Sequence, residues 1–237
     1  MKLSQSLREL AAFELSGWKT AEVSWLFFCC AIVTILSWNT DTWIGILSAL
    51  TGIANVILNG KGKLSTYLFG VVNVALYSYI AFRSKFYGTV MLYSCYFLPM
   101  NIYGFIAWSR HLDSEIYEVE KRRLNQRWHW LLAGTVVLIT ALGGLGLDRL
   151  QGTMPYLDAF VTALSIVAMA ASVQRCLEQW ILWIIADIVT AAMWFIEYSA
   201  GSSNIATLLM WILFVINGAI MYYRWLQEVK KREPQLS

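Results

Sequence analysis

A chain of 237 residues that is 58% hydrophobic and only 14% charged is not built like a soluble domain, where charged residues sit near 25%. Three prolines and long apolar runs mark a polytopic helical membrane protein. The net charge of +3 says little in itself and gives no reason to expect a nucleic-acid partner; where the charges fall says more.

Eight apolar stretches are read as transmembrane helices, at 21–37, 42–59, 64–82, 85–108, 129–147, 155–175, 179–198 and 203–225. Lys2, Arg8 and Lys19 precede the first as they would a signal peptide. That stretch runs on into "SWNTDTW" without a small-residue cleavage site, so a retained helix is expected. The breaks are short except for 109–128, which holds "EVEKRRLNQR". Of the 18 Lys and Arg, only Arg83, Lys85 and Arg149 fall on one side; the rest lie in the termini and in loops 2–3, 4–5 and 6–7. Positive charge stays in the cytoplasm, which predicts both termini inside and makes 118–127 a topology signal and lipid-headgroup contact. Trp25, Trp38, Trp43, Trp128, Trp130 and Trp225 sit at span ends and are expected in the interfacial belt.

The spans within 42–108 resemble those within 155–225. "GVVNVALYSYIAF" lies over "IIADIVTAAMWFI", pairing Asn73 with Asp187, and further on Asn101 pairs with Asn217. The second triplet starts four helices after the first, so both have the same orientation: a parallel repeat about an axis along the membrane normal. The expected organisation is an extra helix and tail in 1–39, a first three-helix repeat in 40–108, a loop and linker helix in 109–150, a second repeat in 151–226 and a basic cytoplasmic tail in 227–237.

In such repeats the substrate sits near the midplane. Residues three and four apart share a helix face, so Trp180, Trp183 and Asp187 form one stripe, and Asn73 and Tyr77 form the matching one. Asn101 follows Pro99, which should kink its span; Tyr103 and Trp108 come next. These groups suit a planar ligand with a polar rim and a positive charge. Asn73 as glue between helices and Asp187 as a structural lock remain open readings, and Gly52 with Ser48 reads as close packing. Cys29, Cys30, Cys95 and Cys176 are read as apolar fillers, and His111 and His129 have no partner pattern, so no metal or cofactor is expected. No nucleophile–base or phosphate-loop constellation supports an enzyme.

"YLFGVVNVALYSYIAF", "YGTVMLYSCYFLPMNIYGFIAW" and "LDAFVTALS…LEQWILWIIADI" resemble the PnuC family of bacterial nicotinamide riboside transporters, from about residue 40 to 226. The resemblance implies an all-α membrane fold like that of the SWEET sugar transporters, with a 3+1+3 core. It also implies a homotrimer in the bacterial inner membrane and uncoupled, facilitated diffusion of nicotinamide riboside, made one-way by a cytoplasmic riboside kinase. Carried over, Trp180 and Trp183 would face the base or ribose, Asn73, Tyr77 and Asn101 would make polar contacts, and Asp187 would fix polar groups or balance the pyridinium. The chain departs from many members at Tyr93 and Met169, where they carry glutamine, and in its first helix. An alternative keeps the fold but makes Asp187 the proton site of a coupled symporter for a related vitamin or nucleoside, such as thiamine.

Overall fold

The computed structural model describes the backbone of residues 12–113, 118–124 and 127–232, and the same side chains except 112–113, 127–129 and 231–232. Lys2, Arg8, the end of the C-terminal tail and the side chains of Trp128 and His129 therefore lie outside the described residues. Among these, eight helices are long and apolar enough to cross a membrane, and the chain is a multi-pass membrane protein. They are α1 (Thr20–Ser37), α2 (Trp43–Lys61), α3 (Ser65–Arg83), α4 (Tyr87–Ser109), α5 (Arg127–Arg149), α6 (Pro155–Val173), α7 (Gln179–Ser199) and α8 (Ile205–Arg232).

The helix ends follow local chemistry. Thr42 caps α2 by accepting from Gly45 N at 3.1 Å. Gly62 ends the helix in the left-handed region at φ 73°, and Lys63 N then returns to Leu58 O at 3.0 Å. Pro155 begins α6, where its missing N–H costs nothing. In α4, residues Leu92–Phe97 form a π-helical turn just ahead of Pro99, and Leu98 N reaches back to Tyr93 O. The expected kink is thus a widened turn: Pro99 has no N–H to close the ordinary ladder, and the register shifts by one residue.

Helix α2 packs on α3, α6 on α7 and α7 on α8. Across the bundle α8 packs on α2, while α4 packs on α6; α5 lies against α6, and α1 lies against α2 and α8. Trp25 of α1 donates from Nε1 to Asn217 Oδ1 at 3.3 Å, so it anchors the extra helix instead of serving only in a belt. Trp225 likewise leaves the belt: it is buried and donates to Gly60 O at 2.9 Å. Trp38, Trp43 and Trp130 are exposed.

In the connection after α4, Glu118 and Lys121 depart from the expected headgroup-facing loop, since both are buried, while Glu120, Arg122 and Arg123 are exposed. Leu112–Asp113 (β1) and Glu118–Val119 (β2) form a short antiparallel pair. Residues 118–124 then cross the basic end of the bundle as a strap. Val119 N donates to Gly62 O at 3.3 Å, and Leu177 N donates to Arg122 O at 2.8 Å. Glu118 and Lys121 are buried in an ion-pair network. Lys61 meets Glu118 at 2.7 Å and Glu22 at 2.9 Å, Arg224 pairs with Glu22 and Glu118, and Lys121 pairs with Glu118 and Glu228. Burial pushes the Glu118 carboxyl up, but Lys121 and Arg224 outweigh it and hold the group below its ordinary value. The network joins α1, α2, the strap and α8 at one end.

Candidate functional site

Three helices contribute amides to one interior space. On α2, Asn55 and Asn59 sit one turn apart; on α3, Tyr67, Gly70 and Asn73 follow one face; on α4, Phe97 ends the widened turn and Asn101 follows it. The opposite wall comes from α6, α7 and α8, through Met169, Ser172, Trp183, Asp187, Trp211 and Phe214. The cavity between these walls is about 90 Å³, below the ~300–1,000 Å³ usual for small-molecule sites, so a nucleoside-sized ligand would need the walls to move apart.

The polar groups are held from behind. Asn73 donates from Nδ2 to Ser48 O at 2.8 Å, and Asn101 donates to Phe97 O at 2.8 Å. Gly70 has no side chain because one has no room: a Cβ there would collide with Asn101 Oδ1 and lie 2.5 Å from Asn55 Nδ2. Gly52, read above as packing, both packs and lines the cavity, since a Cβ would lie 2.9 Å from Asn73 Nδ2. Tyr67 stands edge-on to Trp108, ring centroids 5.2 Å apart.

Three buried groups in this cavity have no hydrogen-bond partner among the described residues: Tyr67 Oη, Trp183 Nε1 and Asp187 Oδ1. An orphaned buried polar atom costs about 1–3 kcal/mol, so three around one space point to a ligand that supplies both donors and acceptors. Asp187 is only 2% exposed. Among the described residues no Lys, Arg or His lines the cavity, so Asp187 is its one carboxylate without a facing cation. Trp183, Tyr93, Phe97, Trp211 and Phe214 supply flat aromatic surface.

Of the residues expected from sequence, Asn73, Asn101, Trp183 and Asp187 come together here. The other four do not reach the cavity. Trp180 is 0% exposed and packs edge-on to Trp225 at the basic end, 5.7 Å between centroids. Tyr77 lies beyond the opposite end: its hydroxyl accepts from Trp194 Nε1 at 2.8 Å and from Trp211 Nε1 at 3.2 Å. Asn217 is spent on Trp25 and on Val56 O. Tyr103 is 59% exposed on the outside of the bundle.

The chain matches the family described as "Nicotinamide mononucleotide transporter" over residues 42–227. It is 33% identical to the nicotinamide riboside transporter PnuC of Neisseria mucosa, covering 99% of this chain and 90% of that protein. The chain belongs to the PnuC family. The PnuC of Haemophilus influenzae, also named a nicotinamide riboside transporter, is 29% identical, covering 92% of this chain and 94% of that one. A solved structure described as the crystal structure of the vitamin B3 transporter PnuC superposes with a TM-score of 0.83 at 33% identity, covering 97% of this chain and 98% of that one. The eight-helix fold is therefore that of the family, and helix α1 lies within the superposed length.

The residues that sequence reasoning missed were Asn55, Asn59, Tyr67, Phe97, Trp211 and Phe214. Asn55 and Asn59 carried a signal: two amides four apart in an apolar span are as unusual as Asn73. Tyr67 and Gly70 continue the Asn73 stripe toward the basic end. Trp211 and Phe214 carried none, because an aromatic in an apolar helix reads the same facing lipid or cavity.

Proposed function

We propose that this protein takes up nicotinamide riboside by facilitated diffusion through the cavity between its two halves. The observation that carries the reading is the buried Asp187 among aromatic walls, with no hydrogen-bond partner for its Oδ1 and no cationic side chain lining the space among the described residues. A pyridinium is a planar cation, and both a carboxylate and aromatic faces attract it. The ribose hydroxyls and the carboxamide match Asn55, Asn73, Asn101 and Tyr67.

The names attached to the family and to its members differ by one phosphate, and the cavity chemistry favours the riboside. A phosphate carries about −1.5 to −2 charges and needs cationic or multiple N–H partners when buried. Near Asp187 it would meet a like charge instead.

Several further features belong to the same reading. The cross-pairing of α8 with α2 and of α4 with α6 is what two parallel three-helix repeats in 40–108 and 151–226, joined by α5, would give. The basic loops favour both termini in the cytoplasm of a bacterial inner membrane. The family resemblance adds a homotrimer and a cytoplasmic kinase that traps the riboside.

Proteoliposomes without any ion gradient test the transport mode. Labelled riboside should enter saturably and stop at equal concentrations inside and out. Accumulation above that level under an imposed pH gradient, abolished by Asp187→Asn, would replace facilitated diffusion with proton coupling.

A further inference from the structure

Two carboxylates at the end opposite the basic loops make the same unusual contact. Asp158, in the first turn of α6, accepts from Gly88 N at 2.8 Å, Thr89 N at 3.0 Å and Thr89 Oγ1 at 2.6 Å. Those donors open α4. Asp41, just before α2, accepts from Ala206 N at 2.8 Å, a donor in the first turn of α8, and from Thr42 N at 2.6 Å. Each acid therefore caps a helix far away in sequence, satisfying N–H groups that a helix start leaves open. The two pairs also correspond: each acid begins the first helix of one three-helix unit and caps the third helix of the other. A glycine makes room each time. A Cβ on Gly88 would lie 3.0 Å from Asp158 Oδ2, and one on Gly45 would collide with Asp41.

Below these contacts, between them and the cavity, the halves meet again in buried aromatics. Tyr77 of α3 accepts from Trp194 of α7 and Trp211 of α8, and Phe86 packs edge-on to Trp194 at 5.2 Å. Between the two halves at this end lie the seams where α4 meets α6 and α8 meets α2. Those are the two seams that Asp158 and Asp41 bridge.

We propose that Asp41 and Asp158 are paired latches that hold the outer end of the two halves shut, and that opening to the outside requires both to release. This rests on the transporter reading, in which the halves rock about the cavity. The latches are positioning residues: they touch no substrate and set how often the outer end opens. The two acids span separate seams, so either one alone keeps part of the closure.

The test is accessibility of a reporter, Val74→Cys, on the cavity wall, with Cys29, Cys30, Cys95 and Cys176 replaced by alanine. Intact cells are treated with a membrane-impermeant maleimide, and labelling rates are compared. An outward-open form populated at about 0.1–10% leaves room for a tenfold rise. Asp41→Ala with Asp158→Ala should raise the rate about tenfold, and each single variant by less. Gly88→Ala keeps Asp158 but crowds it, and should move the rate the same way. Unchanged labelling in a double variant that elutes as a folded protein would overturn the proposal. So would a parent reporter that labels as fast as the double variant. Riboside binding is measured separately by calorimetry, so a failed substrate reading with a raised labelling rate leaves the latches standing.

Discussion

Replacing Asp187 by asparagine keeps the shape of the cavity and removes its carboxylate. Asp187 is 2% exposed, its Oδ1 has no partner among the described residues, and no cationic side chain among them lines the space. A unit charge ~4 Å from a pyridinium attracts it by about 4 kcal/mol at an effective dielectric of ~20, before either group's desolvation is counted. Contacts to charged groups retain about 1.5–3 kcal/mol after that cost, or roughly tenfold to a hundredfold in Kd. Calorimetry on purified protein should therefore find riboside affinity lowered by that factor in Asp187→Asn. The dihydro form of the riboside, whose ring is uncharged, should bind both proteins within about threefold of each other. Equal losses for both ligands would mean that Asp187 shapes the cavity and does not meet the charge. No loss for either would remove it from the site.

Trp183→Ala and Asn73→Ala should each weaken riboside binding by calorimetry about tenfold, with the elution volume unchanged, whereas Tyr103→Ala should leave affinity unaltered. Trp180→Ala empties a buried position against Trp225, so it should lower thermal stability by about 3–5 kcal/mol while folded protein keeps most of its affinity. Gly70→Ala drives a Cβ into Asn55 and Asn101 and should cost about 1–3 kcal/mol in binding, read against a melting curve. Glu118 has a folded-state pKa below its ordinary 4.5, so its contribution to stability is complete above that value and fades as pH falls through the lower one. Melting temperature should drop below about pH 4.5, and Glu118→Gln should be destabilised near neutrality by about 3–5 kcal/mol because Lys61, Lys121 and Arg224 lose a buried partner.

The spans were legible because lipid demands long apolar helices, and each expected stretch agrees with a helix to within a few residues except α8. That helix runs on to Arg232, past the apolar stretch, where Glu228 pairs with Lys121 of the strap and with Arg224. The site was legible by face but not by depth. Trp180, Trp183 and Asp187 do share a stripe, and so do Asn73 and Tyr77. A stripe runs the length of a helix, however, and the cavity occupies only its middle. Trp180 falls off one end onto Trp225, and Tyr77 falls off the other onto Trp194. Tyr103 fails differently: two residues beyond Asn101 is a turn of about 200°, which points it away from the bundle interior. The burial of Lys121 and Glu118 was hidden because a charged run reads as solvated unless its partners, here on α1, α2 and α8, are known.

A cavity whose one carboxylate among the described residues is Asp187 should take the riboside and reject the mononucleotide. Calorimetric titration of the purified wild-type protein with each decides it. Saturable heat with nicotinamide riboside and none with nicotinamide mononucleotide at the same concentrations is the predicted result. Equal or tighter binding of the mononucleotide would contradict it, because no arrangement around Asp187 as described could then hold the phosphate.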